Sequence, residues 1–232
     1  MQLQRLAITP SQMQNDQILL TPPQQHYLGR VLRLQAGDRF IAMDGMGKWW
    51  LAKFSGEQAQ ILESLAVHTE LPVAVALIIA LPKGNGFDEV VRCCTELGVA
   101  SITPVISDRT LLNPSTQKLE RWRRIAQEAA EQSERAFVPT ILEPTPFNHV
   151  VLSGTHRYIC EARGSYPHLK TAIDQVASEI VIAIGPEGGW TTQEITEAIA
   201  AGFQPVSLGK RILRAVTAPI VAMSVVAAIF EL

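Results

Sequence analysis

Apolar positions along this chain follow two rhythms, and the change between them divides it. From Val73 onward, short β-branched runs alternate with segments whose apolar residues recur every three or four positions, the pattern of strands followed by amphipathic helices. Residues 73–81 predict a long buried strand, and Phe87, Val90, Val91, Cys94 and Leu97 predict the helix after it, stopped by Gly98. Residues 102–107 predict the next strand and 115–136 a longer helix, with Leu119, Trp122, Ile125, Ala126 and Ala129 on one face. Shorter strand-like runs follow at 138–142 and 158–160. Residues 180–184 predict a further buried strand, ending at Gly185-Pro186-Glu187-Gly188-Gly189. Thr191 and Glu194 then form a capping box for a helix that carries Ile195, Ala198 and Ile199 inward and ends at Gly202. A last strand at 205–208 leads through Gly209 into Lys210-Arg211-Ile212-Leu213-Arg214, and a helix that is apolar nearly all round closes the chain from 217 or 218 to 230. Strands alternating with helices imply a mainly parallel sheet covered on both faces.

Before Val73 the runs are shorter and turns more frequent. Residues 18–20 read as a strand ending at Thr21-Pro22-Pro23, and residues 26–34 predict a short helix with Leu28, Val31 and Leu32 inward. Two strands at 39–43 and 48–54 flank the hairpin signal Asp44-Gly45, and the adjacent Trp49 and Trp50 must face opposite sides of the second. A small β-rich, barrel-like domain over 1–72 and an α/β domain over 73–232 are therefore expected.

Composition changes this picture little. With 47% hydrophobic and 18% charged residues and a mean hydropathy of +0.13, the chain reads as a globular protein. The net charge of −2 offers no global attraction to nucleic acid or to an anionic membrane, so any basic surface is local. No stretch reaches the ~20 apolar residues that span a bilayer, the amino terminus lacks a signal-peptide core, and a cytoplasmic location is expected. Cys93, Cys94 and Cys160 form neither a disulfide framework nor a metal-ligand pair, and the five histidines show no ligand spacing, so no metal is expected.

The chemistry concentrates in two loops that each follow a strand, 185–189 and 209–214, and loops at the carboxyl ends of parallel strands form ligand crevices. Neither the phosphate-loop pattern nor the dinucleotide fingerprint is present: Trp190 follows Gly185 where the first needs glycine, and Glu89 stands where the second needs its third glycine. What remains is a site lined by glycine backbone with a cationic edge.

Those two loops, in order with other segments, resemble the RsmE-type 16S ribosomal RNA uridine-N3 methyltransferases of the SPOUT superfamily. The resemblance rests on His26 through Leu34 with Gly37-Asp38, Thr95-Glu96-Leu97-Gly98-Val99, Arg121-Trp122 with Glu131 through Arg135, Ile184 through Trp190, and Leu208 through Arg214 with Thr217-Ala218. It implies a PUA-like RNA-binding domain followed by a SPOUT domain of α/β class. It also implies a trefoil knot in roughly the last 55 residues, where an unthreaded chain is the default. S-adenosylmethionine, 16S ribosomal RNA or the assembled small subunit, and a second copy of the chain are the implied cofactor, substrate and partner.

On this resemblance the cofactor would be held by Glu161, Ala162, Ile184, Gly185, Pro186, Glu187, Gly188, Gly189, Leu208, Gly209, Ile212, Leu213, Thr217 and Ala218. Arg211 and Arg214 would favour an anionic uracil, with Glu187 as a base or cofactor ligand. Arg5, Arg30, Arg33 and Lys48 in the first domain and Arg92, Arg109, Gln132 and Arg135 in the second would face RNA. The chain departs from its family at three positions. Val216 replaces an acidic residue, Gly86 an arginine and Cys93 a lysine, which leaves open a catalytically impaired RNA-binding protein, or an enzyme acting on another nucleoside.

Overall fold

The computed structural model describes residues 3–110, 114–150 and 156–231. They form two compact units, Met1–Glu70 with Ala130–Val138, and Leu71–Ala129 with Pro139–Leu232.

The first unit carries β1 (Arg5–Ala7), β2 (Met13–Gln14), β3 (Gln17–Leu19), α1 (Pro22–His26), β4 (Arg39–Met43), β5 (Trp49–Phe54) and β6 (Gln58–Leu65). These strands make one sheet in the order β1-β4-β5-β6-β3-β2, antiparallel except for β1 beside β4. Leu6, Ile18, Leu28, Phe40, Ala52 and Phe54 fill its core. The helix predicted over 26–34 begins earlier, at Pro22. Two prolines suit a first turn whose N–H groups have no partner in any case, and the Thr21 N–H donates to Gln24 Oε1 at 2.9 Å. Its second half, Tyr27–Val31, is a π turn, and Arg33 leaves it at a left-handed φ of 58°.

The segment 130–138 belongs to this unit because its contacts are there. Ala130 packs with Ala7, Ile41, Met43 and Trp49, and Glu131 accepts the Ala7 N–H at 2.8 Å. Arg135 is buried and pairs with Glu70, whose Oε1 also accepts the Ala136 and Phe137 N–H groups. The Val138 N–H reaches the carbonyl of Gly45, where a Cβ would lie 2.8 Å from Val138 Cγ2. The long helix predicted to reach 136 therefore stops at Gln132.

The second unit runs β7 (Ala74–Ala80), α2 (Gly86–Glu96), β8 (Ser101–Ile106), α3 (Thr116–Gln132), β9 (Thr140–Ile141), β10 (Thr145–Pro146), β11 (His156–Cys160), α4 (Leu169–Ala172), β12 (Glu179–Ile184), α5 (Thr192–Ala200), β13 (Gln204–Val206) and α6 (Thr217–Phe230), the last turn of α3 falling in the first unit. Its sheet, β10-β8-β7-β12-β11-β13 with β9 beside β8, is parallel throughout. On one face Ile78, Val105, Ile159, Val181 and Ala183 pack with Trp190, Ala198 and Phe203. α6 buries Pro219, Ala222, Met223 and Val226 and leaves Ile220, Val221, Val225 and Ile229 half-exposed. Among the described residues no helix is long and apolar enough to cross a membrane.

Removing the Glu70 carboxylate takes away the carboxylate paired with the buried Arg135 guanidinium and the acceptor of two backbone N–H groups. Glu70 is 24% exposed, so Glu70→Ala is expected to cost about 3 kcal/mol, the lower end for a broken buried pair. A denaturant midpoint lowered at unchanged slope is the confirming result, and an unchanged midpoint the contrary one.

Candidate active site

Strand register places the site. Cys160 on β11 lies beside Ile184 on β12 and Val206 on β13, so three parallel strands end together and their loops share one edge. The cavity at that edge is walled by residues 160–163 from the first loop, 184–190 from the second, and Leu208, Gly209, Arg211, Ile212, Leu213, Ala215 and Ala218 from the third, with Arg109 alongside.

The glycines are there for different reasons. Gly189 and Gly209 take left-handed φ values of +72° and +117°, and a Cβ on either would meet nothing within 4 Å, so main chain lies open there. At Gly188 a Cβ would stand 3.1 Å from Arg109 Cδ. Arg109 Nη1 donates to the Gly188 carbonyl at 2.6 Å and to that of Trp190 at 3.3 Å, clamping the loop.

The predicted capping box does more than start α5. Glu194, 5% exposed, accepts the Thr191 N–H at 2.7 Å through Oε2 and the Asp108 N–H at 3.0 Å through Oε1. Thr191 Oγ1 donates to Asp108 Oδ2 at 3.1 Å. The β8 loop is thereby tied to the glycine loop. On the other side Glu187 Oε1 accepts the Lys83 N–H at 2.9 Å, tying that loop to residues 82–86. In the remaining two loops, Glu161 Oε1 accepts the Arg163 N–H at 2.6 Å and Ser207 Oγ accepts the Gly209 N–H at 3.0 Å.

Of the residues expected to hold a cofactor, only Thr217 lies off the wall. Arg211 is exposed on it, whereas Arg214 lies off it and lends its carbonyl to the Thr217 and Ala218 N–H groups. Glu187 is on the wall, with one oxygen engaged as above. Arg109, expected at an RNA rim, is exposed and stands beside the cavity. Cys160, Arg163, Trp190 and Ala215 complete the wall. Cys160 and Arg163 lie in a segment that resembles one of the family's cofactor-facing loops, and Trp190 ends a segment on which the resemblance rests. Burial of the Cys160 thiol pushes its pKa up to about 12.

The cations expected to face RNA divide into two groups. Arg30, Arg33 and Lys48 are exposed in the first unit, and Gln132 is exposed at the end of α3. Arg5 instead pairs with Glu134 at 2.7 Å and lies 5.4 Å from the Trp49 ring centroid. The buried Arg135 braces Glu70, and Arg92 is held by Glu89 and Glu96 on its own helix. Arg5 and Arg135 are thus largely buried in the first unit, whereas Arg92 stays exposed beside its two carboxylates. Among the described residues no group of His, Cys, Asp or Glu is placed to hold a metal ion.

A cavity with apolar walls, exposed main chain and a few charges of both signs suits a small ligand with a planar neutral part and ionic ends. Comparison with known proteins agrees. A family model described as an RNA methyltransferase domain matches residues 69–227, and one described as an RNA methyltransferase PUA domain matches 20–63. The ribosomal RNA small subunit methyltransferase E of Synechocystis is 50% identical, over 98% of this chain and 78% of that one. A crystal structure of the enzyme of that name from Neisseria gonorrhoeae, bound to S-adenosyl methionine, superposes with a TM-score of 0.88 at 32% identity, covering 96% of both chains. A putative methyltransferase from Legionella pneumophila in complex with the same cofactor gives 0.88 at 28% identity over 98% of each.

A thiol raised to about 12 by burial holds its proton throughout the neutral range. At pH 8 Cys160 should therefore react with iodoacetamide more slowly than the thiol of an added reference peptide. Peptide mapping that finds Cys160 largely unlabelled after the reference thiol has reacted fully is the expected outcome, and labelling at the reference rate the contrary one.

Proposed function

Because the chain belongs to the RNA methyltransferase family that includes the ribosomal RNA small subunit methyltransferases E, we propose that it methylates N3 of a uridine in 16S ribosomal RNA with S-adenosylmethionine. The observation that carries this reading is the three-loop cavity at the shared edge of β11, β12 and β13.

The residues present fit the cofactor. Main chain at Gly189 and Gly209 is free of side chains where a ligand would lie against it. Ile184, Ile212 and Leu213 offer apolar walls for adenine, and backbone N–H and C=O groups can meet its edge. Glu161 and Glu187 suit cationic groups, and Arg109 and Arg163 suit a carboxylate. When bound, the cofactor supplies an electrophilic methyl group carried on a sulfonium.

The protein's own part is to hold the base in line and manage one proton. The N3 proton leaves first, the negative charge it leaves behind spreads onto the uracil oxygens, and the Arg211 guanidinium on the wall favours that anion. The anionic N3 then bonds to the methyl carbon as the sulfur–carbon bond breaks, which leaves a neutral methylated base and a neutral thioether. Glu187 is the carboxylate to which the proton can pass: the Lys83 N–H holds one of its oxygens, which fixes the direction of the other. N3 is hidden in a paired base, so the target must be unpaired or extruded.

Arg30, Arg33 and Lys48 contact substrate phosphates in this reading, as part of a PUA-like domain over 1–72. The half-exposed apolar positions of α6 provide the contact for a homodimer. A knot in the closing segment draws the third loop against the second, and the reaction takes place in the cytoplasm, with the ribosome.

Incubation with methyl-labelled S-adenosylmethionine and small subunits lacking the modification, followed by nucleoside analysis, is expected to yield 3-methyluridine. A labelled ribose-methylated nucleoside, or no transfer, would overturn the assignment. Arg211→Ala is expected to lower kcat by about 10²- to 10³-fold with cofactor affinity nearly unchanged; an equal loss in both would make it a cofactor ligand instead. Reversing charge at Arg30 and Arg33 is expected to weaken RNA binding and flatten its salt dependence by up to about two units of slope. Unchanged RNA affinity would remove the first unit from the substrate contact.

A further inference from the structure

Gly86 and Val216 face each other across the junction of α2 and α6. A Cβ at residue 86 would lie 2.6 Å from Val216 Cγ2, closer than any two carbons approach without movement. Gly86 opens α2, and its φ is not left-handed. Glycine is therefore required by space, and the space is taken by Val216.

The contact sits at a junction. Val216 precedes the first residue of α6, and its neighbours Ala215 and Ala218 are on the cavity wall. The same stretch 82–86 is held from the other side by Glu187, through the Lys83 N–H. One end of this five-residue strap thus touches the second cavity loop, and the other end touches the third.

We propose that the 82–86 strap couples the two cavity loops, with Val216 as a positioning residue that acts by seating in the notch at Gly86. Val216 neither donates nor accepts a proton and touches no reacting atom; it sets where the turn from Arg214 to Ala218 lies. The effect on catalysis rests on the cofactor reading above, whereas the coupling of the loops does not.

Two variants separate these statements. Gly86→Ala drives a methyl group into Val216 Cγ2, and Gly86→Ala/Val216→Ala removes the obstacle. Amide hydrogen exchange on the free protein is expected to be at least tenfold faster in Gly86→Ala across both 185–190 and 208–218, to return to near wild type in the double variant, and to stay unchanged in the β-rich first unit. Equilibrium titration with S-adenosylmethionine should show affinity reduced about tenfold in Gly86→Ala and restored to within threefold in the double variant.

Faster exchange confined to α2, or a thermal midpoint lowered with both loops unaffected, would make the contact merely structural and overturn the proposal. The same holds if the defects of single and double variants add. If the wild-type protein fails to bind S-adenosylmethionine while the exchange pattern appears as described, the cofactor reading fails and the strap stands.

Discussion

Parallel strands that end in register put their loops side by side, and the function of this chain depends on that constraint. Cys160, Ile184 and Val206 stand abreast on three neighbouring strands, so residues far apart in sequence meet without any long-range side-chain chemistry to recruit them. The ladder hydrogen bonds of the sheet fix the register, and close packing of side chains on both faces of the buried strands β7 and β12 keeps it from slipping. The cavity wall accordingly presents open main chain at Gly189 and Gly209 beside apolar and charged side chains. Glycines sit where a side chain would close it or could not adopt the backbone angle.

Around that edge a second tier of bonds holds the loops. Glu194, Thr191 and Asp108 join the β8 loop to the start of α5, and Arg109 binds the carbonyls on either side of Gly189. Glu187 and Val216 join the 82–86 strap to the second and third loops. Each tie uses a backbone group or a close fit and leaves the cavity face clear. A loop pinned in this way loses less conformational entropy when a ligand arrives, which is how preorganisation adds affinity without adding contacts.

Much of this was legible in the sequence where local physics decides. The buried strands at 73–81 and 180–184, the capping box at Thr191, the hairpin at Asp44-Gly45 and the loop glycines each follow from short-range pattern. The misses share a different cause. β6, with the sequence QAQILESL, buries only Ala59 and so lacks a clear alternation. The helix expected to reach 136 stops at Gln132 because Glu70, far away in sequence, holds the Arg135 segment in the first unit. Arg5 and Arg135, expected to face RNA, prove to be paired with Glu134 and Glu70. No single-sequence pattern distinguishes an exposed arginine from one whose carboxylate partner lies 65 residues away. The meaning of Gly86 and Val216 was hidden for the same reason: each looked like a loss until the two were seen in contact.

The central claim is that main chain from three strand ends forms the cofactor site, and backbone amides report on it directly. Titrating ¹⁵N-labelled protein with S-adenosylmethionine should shift the amide resonances of 160–163, 185–190 and 208–218 together, at one common dissociation constant, and leave those of β1 to β6 in place. Shifts centred elsewhere, or confined to one of the three loops, would contradict the account.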